Sequence, residues 1–314
     1  MPYPEPLVSV ILPVYNGQET LVATIQSIFN QSFINFELLV CDDASSDNSR
    51  KILSTINEPR MIIYHNKSNL GLGETLNKLI SLTNKNSKYI STIEQDDIYK
   101  PYYLDDGVAY LEKNEDIGLV SGISDFCDGK KIVMRFPGIL VNGEQYPKGQ
   151  DLFLLNYREQ VKVVQTCMIF RKDIHYKYNL EFTDKYPSLS VDWDYILRFS
   201  LISNIGGVNK TFVIQDRRPE RSSLTTKIKL KNKIARQLIR DFYLEFSHMI
   251  NYNDYRYAIA TQLYIELGHY KYIERLIRIV FYIILIDPDK KRVIDRIKKE
   301  IIIFFNYVRS ISKV

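Results

Sequence analysis

Acidic side chains cluster in two short polar segments, and each segment directly follows a run of apolar residues. The first segment contains Asp42 and Asp43, and the second contains Glu94, Asp96 and Asp97. Carboxylates that crowd together repel one another unless a cation binds between them. A hard divalent cation such as Mn²⁺ or Mg²⁺ suits an all-oxygen site and can also hold a diphosphate. The segments therefore predict a metal site, with solvated loop residues or helix caps as the alternative.

Asp192 stands at the start of a predicted helix over 192–203, after a polar loop. A carboxylate there can act as a general base that accepts a proton from an attacking hydroxyl. It can equally cap the helix, which stabilises a helix by about 1 kcal/mol. From the residues alone, the capping role is favoured.

The segment Asn69-Leu70-Gly71, followed by Gly73, has two interpretations. Its backbone amides could lie close to a phosphate at a helix start. Its glycines could also serve an ordinary tight turn, which is the favoured interpretation. The sequence contains neither a Gly-x-x-x-x-Gly-Lys loop nor a Gly-x-Ser-x-Gly elbow, which argues against a P-loop nucleotidase and an α/β-hydrolase. The four histidines show no metal-ligand spacing and are interpreted as structural.

Alternating apolar runs and amphipathic stretches predict the elements that position these residues. Short buried strands alternate with helices through the first 125 residues, which favours an α/β fold with a mostly parallel, doubly wound sheet. The polar segments follow the strands, at the edge where such sheets bind ligands. The predicted strands are 7–14, 36–41, 61–65, 89–93 and 118–123, followed by 130–136, 163–170 and 208–214. The predicted helices cover 20–29, a stretch to about 55, 73–82 and a stretch from 101, and 138–150 is expected to be irregular.

The chain changes character near residue 226. Residues 226–314 read as helices only, over about 226–250, 254–267, 270–286 and 289–310, so the predicted domains are 1–225 and 226–314. The net charge is +5, but 226–314 holds 18 Lys+Arg and 9 Asp+Glu, giving +9, and 1–225 is left with −4. The tail is expected to pack on the catalytic domain or on another subunit. The alternative is that 270–314 lies on an anionic membrane surface.

The cysteines and the N-terminus indicate the compartment. Cys41, Cys127 and Cys167 are too far apart to suggest disulfides or a zinc site, so a reducing compartment fits best. Neither a signal peptide nor a run of about 18 apolar residues is visible. We expect a cytoplasmic protein, at the inner face of the membrane if the tail binds lipid. Nucleic-acid binding is not expected, because the basic residues accompany long aliphatic runs.

The ordered set of motifs resembles glycosyltransferase family 2, which has the GT-A fold. The resemblance covers about 7–225 and rests on five motifs in order at plausible spacing. The motifs are VSVILPVYN (8–16), QSF to FELLV with the DDASSD loop (31–47), NLG (69–71), IEQDDIYKP (93–101) and VDWD with LR (191–198).

The resemblance implies a role for each matching position. Asp43 would accept a hydrogen bond from the base, Asp96 would hold the metal that bridges the diphosphate, and Asp192 would be the catalytic base. Glu94 would contact the ribose or the metal. The residues implied to bind the nucleotide sugar are Pro13, Tyr15, Asn16, Asp43, Asn69, Gly71, Glu94, Gln95 and Arg221.

Four positions depart from the family pattern. Glu94 replaces the usual Asp, and Val191 replaces the usual Glu before the base. Leu76-Asn77 stands where the family often has Arg-Asn, so a cation for the diphosphate is missing there. A His is often found within the segment 217–222, where Arg218 or Arg221 could bind the diphosphate instead.

We therefore predict a metal-dependent inverting glycosyltransferase. It would move a sugar from a UDP-sugar to a hydroxyl of a saccharide or lipid-linked acceptor, in surface polysaccharide biosynthesis, with Mn²⁺ or Mg²⁺ as cofactor. The alternatives are a nucleotidyltransferase that makes nucleotide sugars and a non-catalytic nucleotide-sugar-binding protein. Assembly into a homo-oligomer is left open.

Overall fold

The computed structural model describes residues 5–136, 147–160, 165–186, 190–216, 218 and 228–311. The chain divides into two compact units. The first, here called the sheet unit, comprises Met1–Phe153 and Lys162–Thr226. The second, here called the helical unit, comprises Leu154–Val161 and Lys227–Val314.

The sheet unit is built on one mixed β-sheet. Its strands are β1 Val8–Val14, β2 Phe36–Asp42, β3 Met61–His65, β4 Tyr89–Thr92, β5 Asp97–Tyr99, β6 Ile117–Cys127, β7 Ile132–Phe136, β8 Met168–Arg171 and β9 Asn204–Asp216. The strand order is β3-β2-β1-β4-β8-β6-β9-β5, and β7 pairs with β6. Strands β3, β2, β1 and β4 are mutually parallel, β8 is antiparallel to β4 and β6, and β9 is parallel to β6.

Helices follow most of these strands. The helices up to residue 200 are α1 Leu21–Phe29, α2 Ser49–Thr55, α3 Leu72–Ser81, α4 Tyr103–Lys113, α5 Gln150–Glu159, α6 Lys172–Lys177 and α7 Val191–Ser200. The division between the units falls within α5, after Phe153. The rest of the helical unit contains α8 Ile228–Glu245, α9 Tyr252–Glu266, α10 Tyr272–Arg278, a π-helical turn Ile279–Ile283, α11 Ile284–Ile286 and α12 Lys290–Ile311.

The apolar pattern explains the core of the sheet unit. Every residue of β1 and β2 is buried, as expected for parallel strands whose two faces are both covered. One face of α1 carries Leu21, Ile25 and Ile28 at helical spacing, and these residues pack into the main core cluster with alternate residues of β1. The strands thus follow from continuous apolar runs, whereas the helix follows from apolar residues spaced three or four positions apart.

The predicted α/β fold class is confirmed, and the differences are local. Beyond β4 the sheet becomes mixed, because β8 runs antiparallel to both of its neighbours, β4 and β6, and β5 runs antiparallel to β9. The short elements β5 and α6 were not predicted, since three and six residues carry little periodicity. The predicted strand 163–170 begins only at Met168, after a 3₁₀ turn.

The helical unit has its own small core and buried ion pairs. Ala260, Ile279, Ile283 and Val293 pack together, so α9, the π-helical turn and α12 share one cluster. Beside it, the fully buried carboxylate of Asp287 accepts hydrogen bonds from three groups: Arg292 Nε at 2.9 Å, Tyr264 Oη at 3.1 Å and the Asp289 amide at 2.9 Å. Within the described residues, no helix has the length and apolarity needed to cross a membrane.

Asp287 is expected to be a major source of stability in the helical unit. Asp287→Ala leaves Arg292 without its buried partner, which costs about 3 kcal/mol. The matched control is Asp295→Ala, because Asp295 is exposed and lies 3.8 Å from Lys298. An exposed pair of this kind contributes at most about 1 kcal/mol. Urea unfolding followed by circular dichroism should separate the two variants, and equal midpoints would contradict this interpretation.

Candidate active site

The turns that follow β1, β2 and β4 meet at one edge of the sheet. Strand β1 lies between β2 and β4, and all three run parallel, so their carboxyl ends point the same way. The backbone amide of Asp43 donates to the Val14 carbonyl at 2.7 Å, which ties the first two turns together. This is the edge at which open α/β sheets bind ligands.

Gln95 joins the third turn to the first. Its Oε1 accepts from the Tyr15 amide at 2.8 Å, and its Nε2 donates to the Tyr15 carbonyl at 2.8 Å. Its own carbonyl accepts from Thr24 Oγ1 at 2.8 Å. A Cβ on Gly17 would come within 2.5 Å of Gln95 Oε1, so the absence of a side chain at 17 makes this approach feasible. Gln95 therefore positions the end of β1 beside the acidic turn.

Three carboxylates in the turn after β4 form a candidate metal centre. Glu94, Asp96 and Asp97 each offer one oxygen, and these oxygens lie within 4.8 Å of one another. Glu94 and Asp96 are partly exposed, whereas Asp97 is buried in β5 and accepts from Gln215 Nε2 at 3.2 Å. The donor set fits a hard divalent cation. Glu94 and Asp96 were predicted as ligands, and the structure places Asp97 with them.

Asp43 is buried beneath the turn 69–71. Its Oδ1 accepts from Asn66 Nδ2 at 2.7 Å and from the Leu70 amide at 2.8 Å. Its Oδ2 accepts from the Gly71 amide at 3.0 Å. Gly71 has a φ of 92°, which favours glycine. The amides of this turn therefore point at a carboxylate of the protein itself, and Asn69 lies exposed at the turn.

A second carboxylate occupies the start of α3, where a phosphate was one expectation. Asp184 Oδ1 accepts from the Gly73 amide at 3.1 Å, and its Oδ2 accepts from the Glu74 amide at 2.8 Å. A negative charge is favoured there by the helix dipole. Nearby, Asn77 and the backbone of Phe182 exchange two hydrogen bonds of 2.9 Å. Sequence reasoning missed Asp184, because a single Asp in a polar segment carries no distinctive spacing.

The residues before the first helix are held by the loop after β2. Asn16 adopts a φ of 54°, and its Oδ1 accepts from the Ser46 amide at 2.8 Å. The backbone amide of Asn16 donates to Ser45 Oγ at 3.0 Å. Pro13 is buried within β1, whereas the Tyr15 side chain is 47 % exposed. Of the residues predicted near the nucleoside, Tyr15 therefore offers the most accessible ring.

Lys78 is a cation near Asp43 that the sequence analysis did not name. Lys78 Nζ donates to Asn66 Oδ1 at 2.6 Å, and Asn66 in turn donates to Asp43. Lys78 thus lies next to the segment where the family cation is missing. Arg218 is bound to the Asp216 carboxylate through its Nε and a terminal nitrogen, with distances of 2.7–3.1 Å. Arg221 lies outside the described residues.

Asp192 lies in the first turn of α7. The helix begins at Val191, and Ser190 is the N-cap residue, so the favoured prediction that Asp192 caps this helix is wrong. Its Oδ1 accepts from the amide of the next residue at 2.8 Å, and its side chain is partly exposed. Asp194 is buried and accepts from Arg198 Nε at 3.0 Å. Of the two, only Asp192 has solvent access.

Buried titratable groups near the sheet are poor candidates for catalysis. Burial raises the pKa of the Cys41 thiol to about 11 and that of Cys167 to about 12. Both are therefore protonated at neutral pH and lack nucleophilic character. Burial lowers the pKa of His175 to about 4, and its Nδ1 lies 3.0 Å from the Tyr195 hydroxyl. A neutral ring at this position fits the structural role expected for this histidine.

The sequence also matches a known protein family. The sequence profile of "Glycosyl transferase family 2" matches residues 9–178, more than half of the chain. The chain belongs to this family. The match includes Asp43, Glu94 and Asp96 and ends before Asp192.

Curated relatives are glycosyltransferases from several organisms. An uncharacterized glycosyltransferase of Haemophilus influenzae is 31 % identical over 215 residues, covering 63 % of this chain and 62 % of the relative. The Bacillus subtilis glycosyltransferase EpsE is 34 % identical over 154 residues, covering 46 % of this chain and 55 % of the relative. The Escherichia coli UDP-Glc:alpha-D-GlcNAc-diphosphoundecaprenol beta-1,3-glucosyltransferase WfgD is 32 % identical over 130 residues, covering 41 % and 50 %. The chain thus spans less than two thirds of these relatives.

Solved structures of glycosyltransferases share the fold of this chain. S. aureus TarS 1-349 in complex with UDP-GlcNAc has a TM-score of 0.60 at 17 % identity, covering 83 % of this chain and 72 % of TarS. The mannosyltransferase PcManGT of Pyrobaculum calidifontis, in complex with GDP-Man and Mn²⁺, has a TM-score of 0.53 at 15 % identity, covering 96 % and 86 %. Identities this low show the GT-A fold alone.

Asp184 is predicted to hold the first turn of α3. Asp184→Ala removes the acceptors of the Gly73 and Glu74 amides, so α3 should lose about 1 kcal/mol and its first amides should exchange faster with deuterium. The control is Asp173→Ala, because Asp173 is exposed and, among the described residues, its side chain accepts only from the amide of the next residue. Unchanged exchange at residues 73 and 74 in Asp184→Ala would contradict the assignment.

Proposed function

We propose that this glycosyltransferase transfers a sugar from a UDP-sugar, with inversion, to a hydroxyl of a saccharide or lipid-linked acceptor. The observation that carries the proposal is the cluster of Glu94, Asp96 and Asp97 at the sheet edge that also bears Asp43. Two comparisons support a UDP-sugar as the donor class. The name of WfgD contains UDP-Glc, and structures of TarS were solved with UDP-GlcNAc and with UDP.

Mn²⁺ or Mg²⁺ is the proposed cofactor. Glu94, Asp96 and Asp97 would hold it, because their oxygens lie close enough together to share one cation. When bound, the cation would stabilise negative charge on the departing nucleoside diphosphate. The PcManGT structure, which contains Mn²⁺, supports this choice. Lys78 and the proposed diphosphate ligand Arg221 would supply further positive charge from this chain.

The proposed nucleoside pocket lies between the turns after β1 and β2. The exposed ring of Tyr15 would contact the base, and Asp43 would accept a hydrogen bond from it. Asp43 Oδ2 accepts a single hydrogen bond among the described residues, from Gly71, so it keeps capacity for another. Asn16 would hold the turn after β1 against the loop after β2, and Gln95 would hold it against the turn after β4.

Asp192 is the proposed catalytic base. It would accept the proton of the acceptor hydroxyl as that oxygen attacks the anomeric carbon from the face opposite the leaving group. Its partial exposure favours this role over Asp194, whose carboxylate is buried beside Arg198. Binding both substrates in one orientation would supply a further part of the rate.

The biological setting is proposed from the relatives. WfgD acts on a diphosphoundecaprenol-linked sugar by its name, and an Escherichia coli chondroitin synthase is 26 % identical over 65 % of this chain and 28 % of the synthase. Both names concern the synthesis of a saccharide, and we propose surface polysaccharide biosynthesis as the setting for this chain. A lipid-linked acceptor would place the reaction in the cytoplasm at the inner face of the membrane.

Donor class and metal dependence can be tested together by thermal unfolding. UDP with Mn²⁺ should raise the unfolding midpoint of the wild type, because ligand binds the folded state. GDP should raise it less. Asp96→Ala should abolish the Mn²⁺-dependent part of the shift, whereas the control Asp105→Ala, at an exposed position on α4, should keep it. A UDP shift that is the same with and without Mn²⁺ would contradict the proposed cofactor.

Asp192→Asn should separate catalysis from binding. Loss of the base lowers the turnover number about 100- to 10,000-fold, with the dissociation constant for UDP unchanged. UDP release from the donor, with an acceptor present, provides the assay, and pyrophosphate release would instead indicate a nucleotidyltransferase. Asp173→Asn serves as the control. Turnover at the wild-type rate in Asp192→Asn would exclude Asp192 as the base.

A further inference from the structure

One face of the segment α10 to α11 is apolar and uncovered. Its side chains recur every three or four residues and are 36–72 % exposed. They are Ile273, Ile277, Val280, Phe281, Ile284 and Leu285. Single exposed apolar residues are ordinary on a protein surface, but a continuous row at helical spacing marks a contact site.

Helix α12 carries a second uncovered row. Ile294, Ile301, Ile302 and Phe305 are 39–61 % exposed and share one helical face. Each row lies opposite the buried residues of its own segment, Ile279 and Ile283 in the first and Val293 in the second. Both rows therefore face away from the core that these residues share. We use the name apolar-basic face for the set formed by the two rows and by Lys291, Lys298 and Lys299, all of which lie outside that core.

The three lysines lie among the exposed residues of α12. Lys291 and Lys299 have no carboxylate at ion-pair distance within the described part of the chain, and Lys298 lies 3.8 Å from Asp295. Most of the other acids of this region are already paired. Asp287 is bound to Arg292, Glu274 to Arg278, and Glu300 to both Arg275 and Arg296. The charge left over on this face is therefore positive.

We propose that the apolar-basic face binds the surface of a lipid bilayer that contains anionic headgroups. Apolar side chains would enter the boundary of the acyl chains, and the lysines would extend their amino groups to the headgroups. Attraction to anionic lipid contributes through each lysine near the surface. The inference concerns a surface of the helical unit and does not depend on the donor or acceptor proposed above.

Charge favours a bilayer over a second copy of the chain. A two-fold dimer through this face would place the same patch on both sides of the interface, so the lysines of both copies would enter an interface that offers few unpaired acids. Burying charges without partners is costly. A bilayer instead offers both an apolar layer and the opposite charge.

Vesicle flotation of the full chain tests the apolar part. The wild type should float with phosphatidylcholine vesicles that contain phosphatidylglycerol. Leu285→Asp should lower the partition coefficient about tenfold or more, because one buried leucine side chain and a new charge both act against insertion. The matched control is Leu244→Asp, which makes the same change at a 62 % exposed position on α8, outside the face. Since Leu285 is 72 % exposed, the variant should fold normally, which circular dichroism checks.

Charge reversal tests the basic part. Lys291→Glu with Lys299→Glu should lower the partition coefficient on the anionic vesicles about tenfold or more. Lys231→Glu with Lys233→Glu makes the same charge change at exposed positions of α8 and should bind as the wild type does. Vesicles of phosphatidylcholine alone should bind the wild type weakly. Equal binding to both kinds of vesicle would overturn the requirement for anionic lipid.

Three results would overturn the proposal. They are flotation of Leu285→Asp equal to that of the wild type, equal loss in Leu285→Asp and Leu244→Asp, and absence of wild-type binding. If the wild type instead sediments as a dimer that Leu285→Asp dissociates, the face is an interface between two copies. Donor hydrolysis without vesicles should be the same in all these variants, so a failure of docking is distinguishable from a failure of the catalytic proposal.

Discussion

The repulsion among three carboxylates is the constraint on which the rest of the site depends. Glu94, Asp96 and Asp97 bring their oxygens within 4.8 Å of one another in one short turn. Such crowding is unfavourable without a compensating positive charge. The sheet imposes the crowding, since β4 ends just before this turn and β5 fixes Asp97 against β9. A turn that holds three carboxylates this close together is suited to binding a divalent cation.

Around this cluster, polar groups of the protein form hydrogen bonds with one another, so few of them are left to bind a ligand. Gln95 binds both backbone groups of Tyr15, Asp43 binds the turn before α3, and Asp184 binds the start of α3. Each bond fixes one loop against another, so the candidate pocket is preorganised. Backbone amides that looked available for phosphate in the sequence are thus occupied by carboxylates. In the proposed function, the cation and basic side chains would therefore hold most of the diphosphate.

Sequence reasoning predicted the elements whose pattern is local. The continuous apolar runs of β1 and β2 are long enough to be recognised as strands. The apolar residues of α1 are numerous enough to show helical spacing. Asp96 and Glu94 were predicted because acids after a strand are conspicuous. Asp184 was not, since its partners lie more than 100 residues away and only folding brings them together. The mixed pairing around β8 is likewise long-range, and no local pattern encodes strand direction.

The two units differ in what they require from their surroundings. The sheet unit buries its apolar strands, whereas the helical unit leaves rows of large apolar side chains uncovered beside lysines. The charge difference in the sequence follows nearly the same division, since residues 226–314 carry a net charge of +9 and residues 1–225 carry −4.

The most direct test of the central claim is anomalous diffraction from crystals grown with UDP and Mn²⁺. The account predicts one strong anomalous peak bonded to oxygens of the 94–97 turn, with the diphosphate on its other side. A UDP molecule bound elsewhere, or a peak that none of Glu94, Asp96 and Asp97 contacts, would contradict it.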